Sequence, residues 1–177
     1  MEKPVYLDYS ATTPVDPEVL DTMLPYFSEK FGNASSIHVK GKEARLAVEE
    51  AREKVAGLIN ASSAEEIIFT SGGTEADNMA ISGTAAFSKD FGNHIVVTNI
   101  EHHAVFETCH HLEKQGFEVT FVPAEPDGIV DAEKIRQAVT DETILISTIY
   151  ANNEIGTIQP VKDIAAIAME YGIYSHT

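Results

Sequence analysis

Three short polar clusters could do chemistry, and each follows an apolar run. The first is Ser71-Gly72-Gly73-Thr74-Glu75. Two glycines and a Thr at a helix start leave backbone N–H groups free for an anion. The helix dipole favours a phosphate there, and the Thr hydroxyl adds a donor. The same residues also suit a tight turn capped by Thr74, with Asp77 as the acid of a capping box. The second cluster is Glu101-His102-His103. His102 could stack on a ring or move protons near neutral pH, or be an ordinary surface His. The third is Ala151-Asn152-Asn153-Glu154-Ile155-Gly156. Its amides could meet a ligand's oxygen, or serve as turn residues before Gly156.

Two further features are weighed against these. His103, Glu107 and His111 share one helical face, but no further ligand set accompanies them, and no metal site is expected. Cys109, the one cysteine, stands in helical spacing with Val105 and Leu112 and reads as a core thiol.

The elements that must position the clusters follow from the pattern. Asp16-Pro17-Glu18 is a helix start, with a capping Asp, a Pro in the first turn and an acid at the positive end. Ala44, Val48, Ala51, Val55 and Leu58 form one face of a long amphipathic helix. Strands are expected at Ile67–Thr70, His94–Thr98, Phe117–Val122, Ile144–Tyr150 and from Ile173, with helices between them. This alternation predicts an α/β fold, a mostly parallel sheet with helices on both faces. In such sheets ligands bind beyond the carboxyl ends of the strands, where all three clusters fall.

Acidic residues outnumber basic ones, 28 to 12, for a formal charge of −16. That balance argues against a nucleic-acid backbone or an anionic membrane as partner. A lone cysteine offers no intrachain disulfide, and no apolar run approaches a membrane span, so a cytoplasmic location is expected.

Several motifs together resemble the NifS/IscS-type cysteine desulfurases, enzymes of the class V aminotransferase family. They are Tyr6-Leu7-Asp8-Tyr9-Ser10-Ala11-Thr12-Thr13-Pro14, Phe31-Gly32-Asn33-Ala34-Ser35-Ser36 with His38 and Gly41, Phe69 to Glu75, Glu101-His102, and Asn152 to Gly156. Departures are small: Ala34 stands where Pro is usual, and Gly73 where Ala is common. The resemblance implies a fold-type I large domain and the cofactor pyridoxal 5'-phosphate. It implies that the Gly73 backbone and Thr74 hydroxyl hold the phosphate. His102 would stack on the pyridine ring and take part in proton transfers, Asn153 would bond the ring oxygen, and Asn33 would lie near the substrate entrance.

The resemblance also implies groups that follow the position of Thr177. These are an Asp for the ring nitrogen, a Lys that carries the cofactor covalently, a sulfur-accepting Cys and a substrate-binding Arg. The expected organisation is an arm over 1–15 and the N-terminal part of the large domain over 16–177. The expected function is one half of an enzyme turning L-cysteine into L-alanine and a persulfide, inactive alone and completed by a separate C-terminal chain. Expected partners are a homo-oligomer or heterotetramer and an iron–sulfur scaffold or other sulfur acceptor. The rival readings are an inactive remnant or binding module, a piece cut from a longer chain, and a related selenocysteine lyase or aminotransferase.

Overall fold

A computed structural model describes residues 4–177. The chain divides into two compact units, Met1–Phe69 and Thr70–Thr177.

The first unit is helical. Helix α1 (Pro17–Ser28) starts as its sequence dictates, with the Asp16 carboxylate accepting the Glu18 N–H at 2.8 Å and Pro17 in the first turn. Helix α2 (Val39–Ile59) is capped by His38 Nδ1, which accepts the Gly41 N–H at 3.3 Å, and ends on Asn60 in the left-handed region, φ 56°. Gly41 is required: a Cβ there would lie 2.2 Å from the Ser36 carbonyl oxygen. Along the apolar face of α2, Ala44 and Val55 are half-buried, but Val48, Ala51 and Leu58 remain exposed; Ala56, beside that face, is buried.

The strand expected at Ile67–Thr70 does not form. A strand needs a hydrogen-bonding neighbour along its length, and this segment's groups are committed elsewhere. The Ile67 carbonyl accepts from the Arg52 guanidinium, and the Ile67 N–H bonds Ala64 O at 3.1 Å, closing a 3-10 turn over Ala64–Glu66. Ile67 is buried; Ile68 and Phe69 are not.

The second unit is the α/β body. Its elements are α3 (Gly73–Ser88), β1 (His94–Thr98), α4 (His103–Glu113), β2 (Glu118–Val122), α5 (Ala132–Ala138), β3 (Thr143–Ser147), α6 (Val161–Tyr171) and β4 (Tyr174–His176). The strands form one parallel sheet in the order β2-β1-β3-β4.

Side chains alternate along the strands and so build two cores. Ile95, Val97 and Leu145 pack with Ile81 and Ala85 of α3 and with Val105, Cys109 and Leu112 of α4. Val96 and Ile146 pack with Ile135 of α5 and Ile164 and Ile167 of α6. Helices therefore cover both faces, as the sequence predicts.

Among the described residues, one buried polar side-chain atom lacks a hydrogen-bond partner, Thr148 Oγ1 just beyond β3, whereas those within the strands are bonded. His94, 4% exposed, places Nδ1 2.7 Å from Thr143 Oγ1 and Nε2 2.9 Å from Thr120 Oγ1, so one imidazole ties β1 to both neighbours. Burial holds its pKa below the ordinary value, with Glu118 opposing. No helix among the described residues is long and apolar enough to cross a membrane.

Candidate functional site

The second polar cluster is positioned by the end of β1. The chain leaves the sheet at Thr98, and His102 becomes the N-cap of α4. Its Nδ1 accepts the Ala104 N–H at 3.1 Å. A nitrogen that accepts carries no proton, so the neutral ring holds its proton on Nε2. His102 itself is exposed.

The third cluster follows β3. Asn152 Oδ1 accepts the N–H groups of Glu154 at 2.9 Å and Ile155 at 3.0 Å, folding the loop on itself. Asn152 Nδ2 donates to Ile100 O at 2.9 Å, across to the loop after β1. Asn153 is left exposed at the tip. Because β1 and β3 are neighbours, the two loops meet. His102 and Asn153 line one cleft of about 310 Å³, together with Asn99, Glu101, Asn152 and Glu154.

Gly73 and Thr74 do not line that cleft; they form the first turn of α3. The first intrahelical bond there is Ala76 N–H to Gly72 O at 3.1 Å, so the N–H groups of Gly73, Thr74 and Glu75 precede the helical ladder. A Cβ built on Gly72 or Gly73 meets nothing within 4 Å, so the space before this turn is open. The capping acid is Glu75 and not Asp77. Its Oε2 accepts from both the N–H and the hydroxyl of Ser71, each at 2.6 Å, and these bonds hold its carboxyl below the usual carboxylate range. The helix starts at Gly73, which makes Glu75 the third helical residue. Ser71 is thereby occupied, and the donors remaining for an anion are the N–H groups of Gly73, Thr74 and Glu75 and the Thr74 hydroxyl.

Asp77, further along α3, meets the sheet instead. Its Oδ1 lies 3.7 Å from His176 Nε2, while His176 Nδ1 lies 2.9 Å from Ser147 Oγ. Burial lowers the His176 pKa and Asp77 pulls it back. This contact brings the N-terminal half of α3 to the carboxyl end of the sheet, the edge from which the His102 and Asn153 loops emerge.

The arrangement offers helix-terminal N–H donors, a hydroxyl, an exposed imidazole with a free Nε2–H, and an exposed carboxamide. That donor set fits a phosphorylated aromatic ring. Asn33 belongs to the first unit, where its Oδ1 accepts the Ser35 N–H at 2.9 Å in a local turn.

Around α4, His110 Nδ1 lies 2.7 Å from Glu113 and His111 Nε2 lies 2.7 Å from Gln115. No group of three or more His, Cys, Asp or Glu among the described residues is placed to hold a metal ion. Cys109 is fully buried, and its thiol pKa is pushed up to about 12 by burial, with Glu101 and Glu113 adding to it. It is a core residue, as its spacing predicts.

The sequence did not reveal that His102 caps α4 or that Asn152 ties the two loops. The nearest local signal for the first was a His just before a helix, and the second joins residues 52 apart.

Comparison with known proteins bears on the family and the fold. The chain matches the family described as aminotransferase class-V over residues 5–177. It is 55% identical over 177 residues to a protein named cysteine desulfurase IscS of Dictyoglomus turgidum, covering 100% of this chain and 45% of the relative. A protein of the same name from Methanosarcina thermophila is 55% identical over 175 residues, covering 99% and 43%. Among solved structures, a NifS-like protein superposes with a TM-score of 0.92 at 42% identity, covering 97% of this chain and 48% of that one. SspA in complex with cysteine superposes with a TM-score of 0.91 at 38% identity, covering 97% and 49%. The chain thus spans about half the length, or slightly less, of the proteins it matches. On this match of sequence and fold, the chain belongs to the class V aminotransferase family.

Proposed function

We propose that this chain forms the non-covalent half of a pyridoxal 5'-phosphate site in a cysteine desulfurase of the NifS/IscS type. The observation that carries the reading is the cleft shared by His102 and Asn153 at the carboxyl ends of β1 and β3. The relatives named cysteine desulfurase, and the structural neighbour described in complex with cysteine, support the substrate class.

The Gly73 N–H and the Thr74 N–H and hydroxyl would receive the phosphate, with the α3 dipole favouring its charge. His102, oriented through Nδ1, would lay its ring against the pyridine and keep Nε2–H for proton transfer. Asn153 would donate its amide to the ring oxygen. When bound, the cofactor supplies an electron sink. Asn33 would stand near the substrate entrance.

The reaction converts L-cysteine to L-alanine, with sulfur leaving as a persulfide on a thiol. The anchoring Lys, the Asp at the ring nitrogen and the accepting Cys would come from polypeptide outside residues 1–177. In this reading residues 1–15 are an arm and 16–177 the N-terminal part of the large domain. The assembly is a homo-oligomer or heterotetramer in the cytoplasm, delivering sulfur to an iron–sulfur scaffold or another acceptor.

The test is a titration of the chain with pyridoxal 5'-phosphate, followed by an assay for alanine and persulfide after adding polypeptide with the Lys, Asp and Cys. Binding that weakens in Thr74→Val and His102→Ala, and activity only in the mixture, are the expected results. Wild-type chain that binds no cofactor in either setting would overturn the reading.

A further inference from the structure

The half-buried carboxylate of Glu101 joins groups far apart in sequence. Its Oε1 accepts from the Thr98 hydroxyl and, at 2.6 Å, from the Ile149 N–H. Thr98 is the last residue of β1, and Ile149 is the second residue after β3. The β1–β3 ladder has its final registered pair at Val97 and Ser147. Beyond that pair the backbones have no common ladder, and one carboxylate oxygen takes over the tie.

We propose that Glu101 is a positioning residue that fastens the loop carrying His102 to the loop carrying Asn153, fixing the spacing of the two side chains that face the cleft. The proposal rests on the cofactor reading above and deepens it. Glu101 is adjacent to His102 in sequence, and Ile149 lies four residues before Asn153, so a slip at Oε1 is felt at both. The Asn152 amide bonded to Ile100 O at 2.9 Å is a second tie between the same loops, set closer to the cleft.

The choice of a carboxylate is physically informative. Burial raises the Glu101 pKa, and Asp77 adds to it, against the hydrogen bonds from Thr98 and Ile149. An apolar side chain could fill the same space without that penalty, but it would orphan the Ile149 N–H and the Thr98 hydroxyl. An acceptor is what the position requires, and the charge is incidental to it. Gln offers the same carbonyl oxygen at the same reach; Leu offers none.

The experiment compares the wild-type chain with Glu101→Gln and Glu101→Leu by two readouts. One is amide hydrogen exchange at Ile149. The other is affinity for pyridoxal 5'-phosphate, with inorganic phosphate as a control ligand for the α3 terminus alone. Glu101→Gln is expected to keep Ile149 protected and the cofactor affinity close to wild type. Glu101→Leu is expected to speed Ile149 exchange and weaken the cofactor by about tenfold or more, while inorganic phosphate binds as before. Unchanged Ile149 exchange in Glu101→Leu overturns the proposal, as does loosened exchange with unchanged cofactor affinity. A wild-type chain that binds no cofactor defeats the functional reading instead, and Ile149 exchange in the two variants still decides whether the tie exists.

Discussion

The imidazole of His102 is held by the backbone of Ala104, whose N–H it accepts at 3.1 Å through Nδ1. One side chain thus has two separable duties, capping α4 and presenting a ring. Asn is a strong N-cap without a ring. His102→Asn is expected to keep the stability of the wild type in urea denaturation, whereas His102→Ala should lose about 0.5–2 kcal/mol. Both should lose affinity for pyridoxal 5'-phosphate. Equal stability of the two variants would mean that the cap contributes nothing.

Two glycines should respond oppositely to a methyl group. At Gly92 a Cβ would lie 2.3 Å from the Glu142 carbonyl oxygen, and backbone cannot rotate away. Gly92→Ala is expected to cost about 1–3 kcal/mol, as overpacking does. At Gly73 a Cβ meets nothing. Gly73→Ala should range from neutral to about 1 kcal/mol more stable, since Ala loses less freedom in a helix. Thermal denaturation of both variants checks the pair.

His94 predicts an acid-side loss of stability. Its folded pKa lies below the ordinary 6.5 because the ring is buried, so the unfolded chain takes up the proton first. Its contribution is fully present above 6.5 and is lost as pH falls toward the folded value. For one group the slope cannot exceed about 1.4 kcal/mol per pH unit. His176 acts in the same direction, whereas Glu101, whose pKa is raised, loses stability as pH rises. Denaturation midpoints from pH 8 to 5 should therefore fall less steeply in His94→Gln than in the wild type. Parallel curves would refute the assignment.

Cys109 should behave as a hidden thiol. With full burial and a pKa near 12, it offers almost no thiolate at neutral pH. A disulfide-exchange reagent is expected to react with the native chain only at the rate of unfolding and promptly in denaturant. Rapid labelling of the native chain would contradict its place in the core.

Much of this was legible because it is local. Asp16-Pro17-Glu18 opens α1, the short continuous apolar runs give β1 and β3, and the polar clusters after those strands line one cleft. The failures have equally specific causes. Ile67-Ile68-Phe69 carries the composition of a strand, but pairing depends on a neighbour, and Arg52 takes the Ile67 carbonyl. Asp77 was placed as the capping acid because Thr74 was taken as the cap, starting the helix two residues late; with Gly73 as the first residue, Glu75 fills that role. The Oε1 tie of Glu101 joins residues 48 apart, and no local spacing announces it.

The two loops of the cleft spring from β1 and β3, the strands with partners on both sides, while β2 and β4 form the margins. Fraying at a margin can therefore leave the cleft intact. A molecule lodged there would oppose collapse of the whole parallel sheet more than peeling of its borders. Its binding should show as a rise in the global melting temperature that grows with the logarithm of its concentration, while the borders go on opening at their own pace.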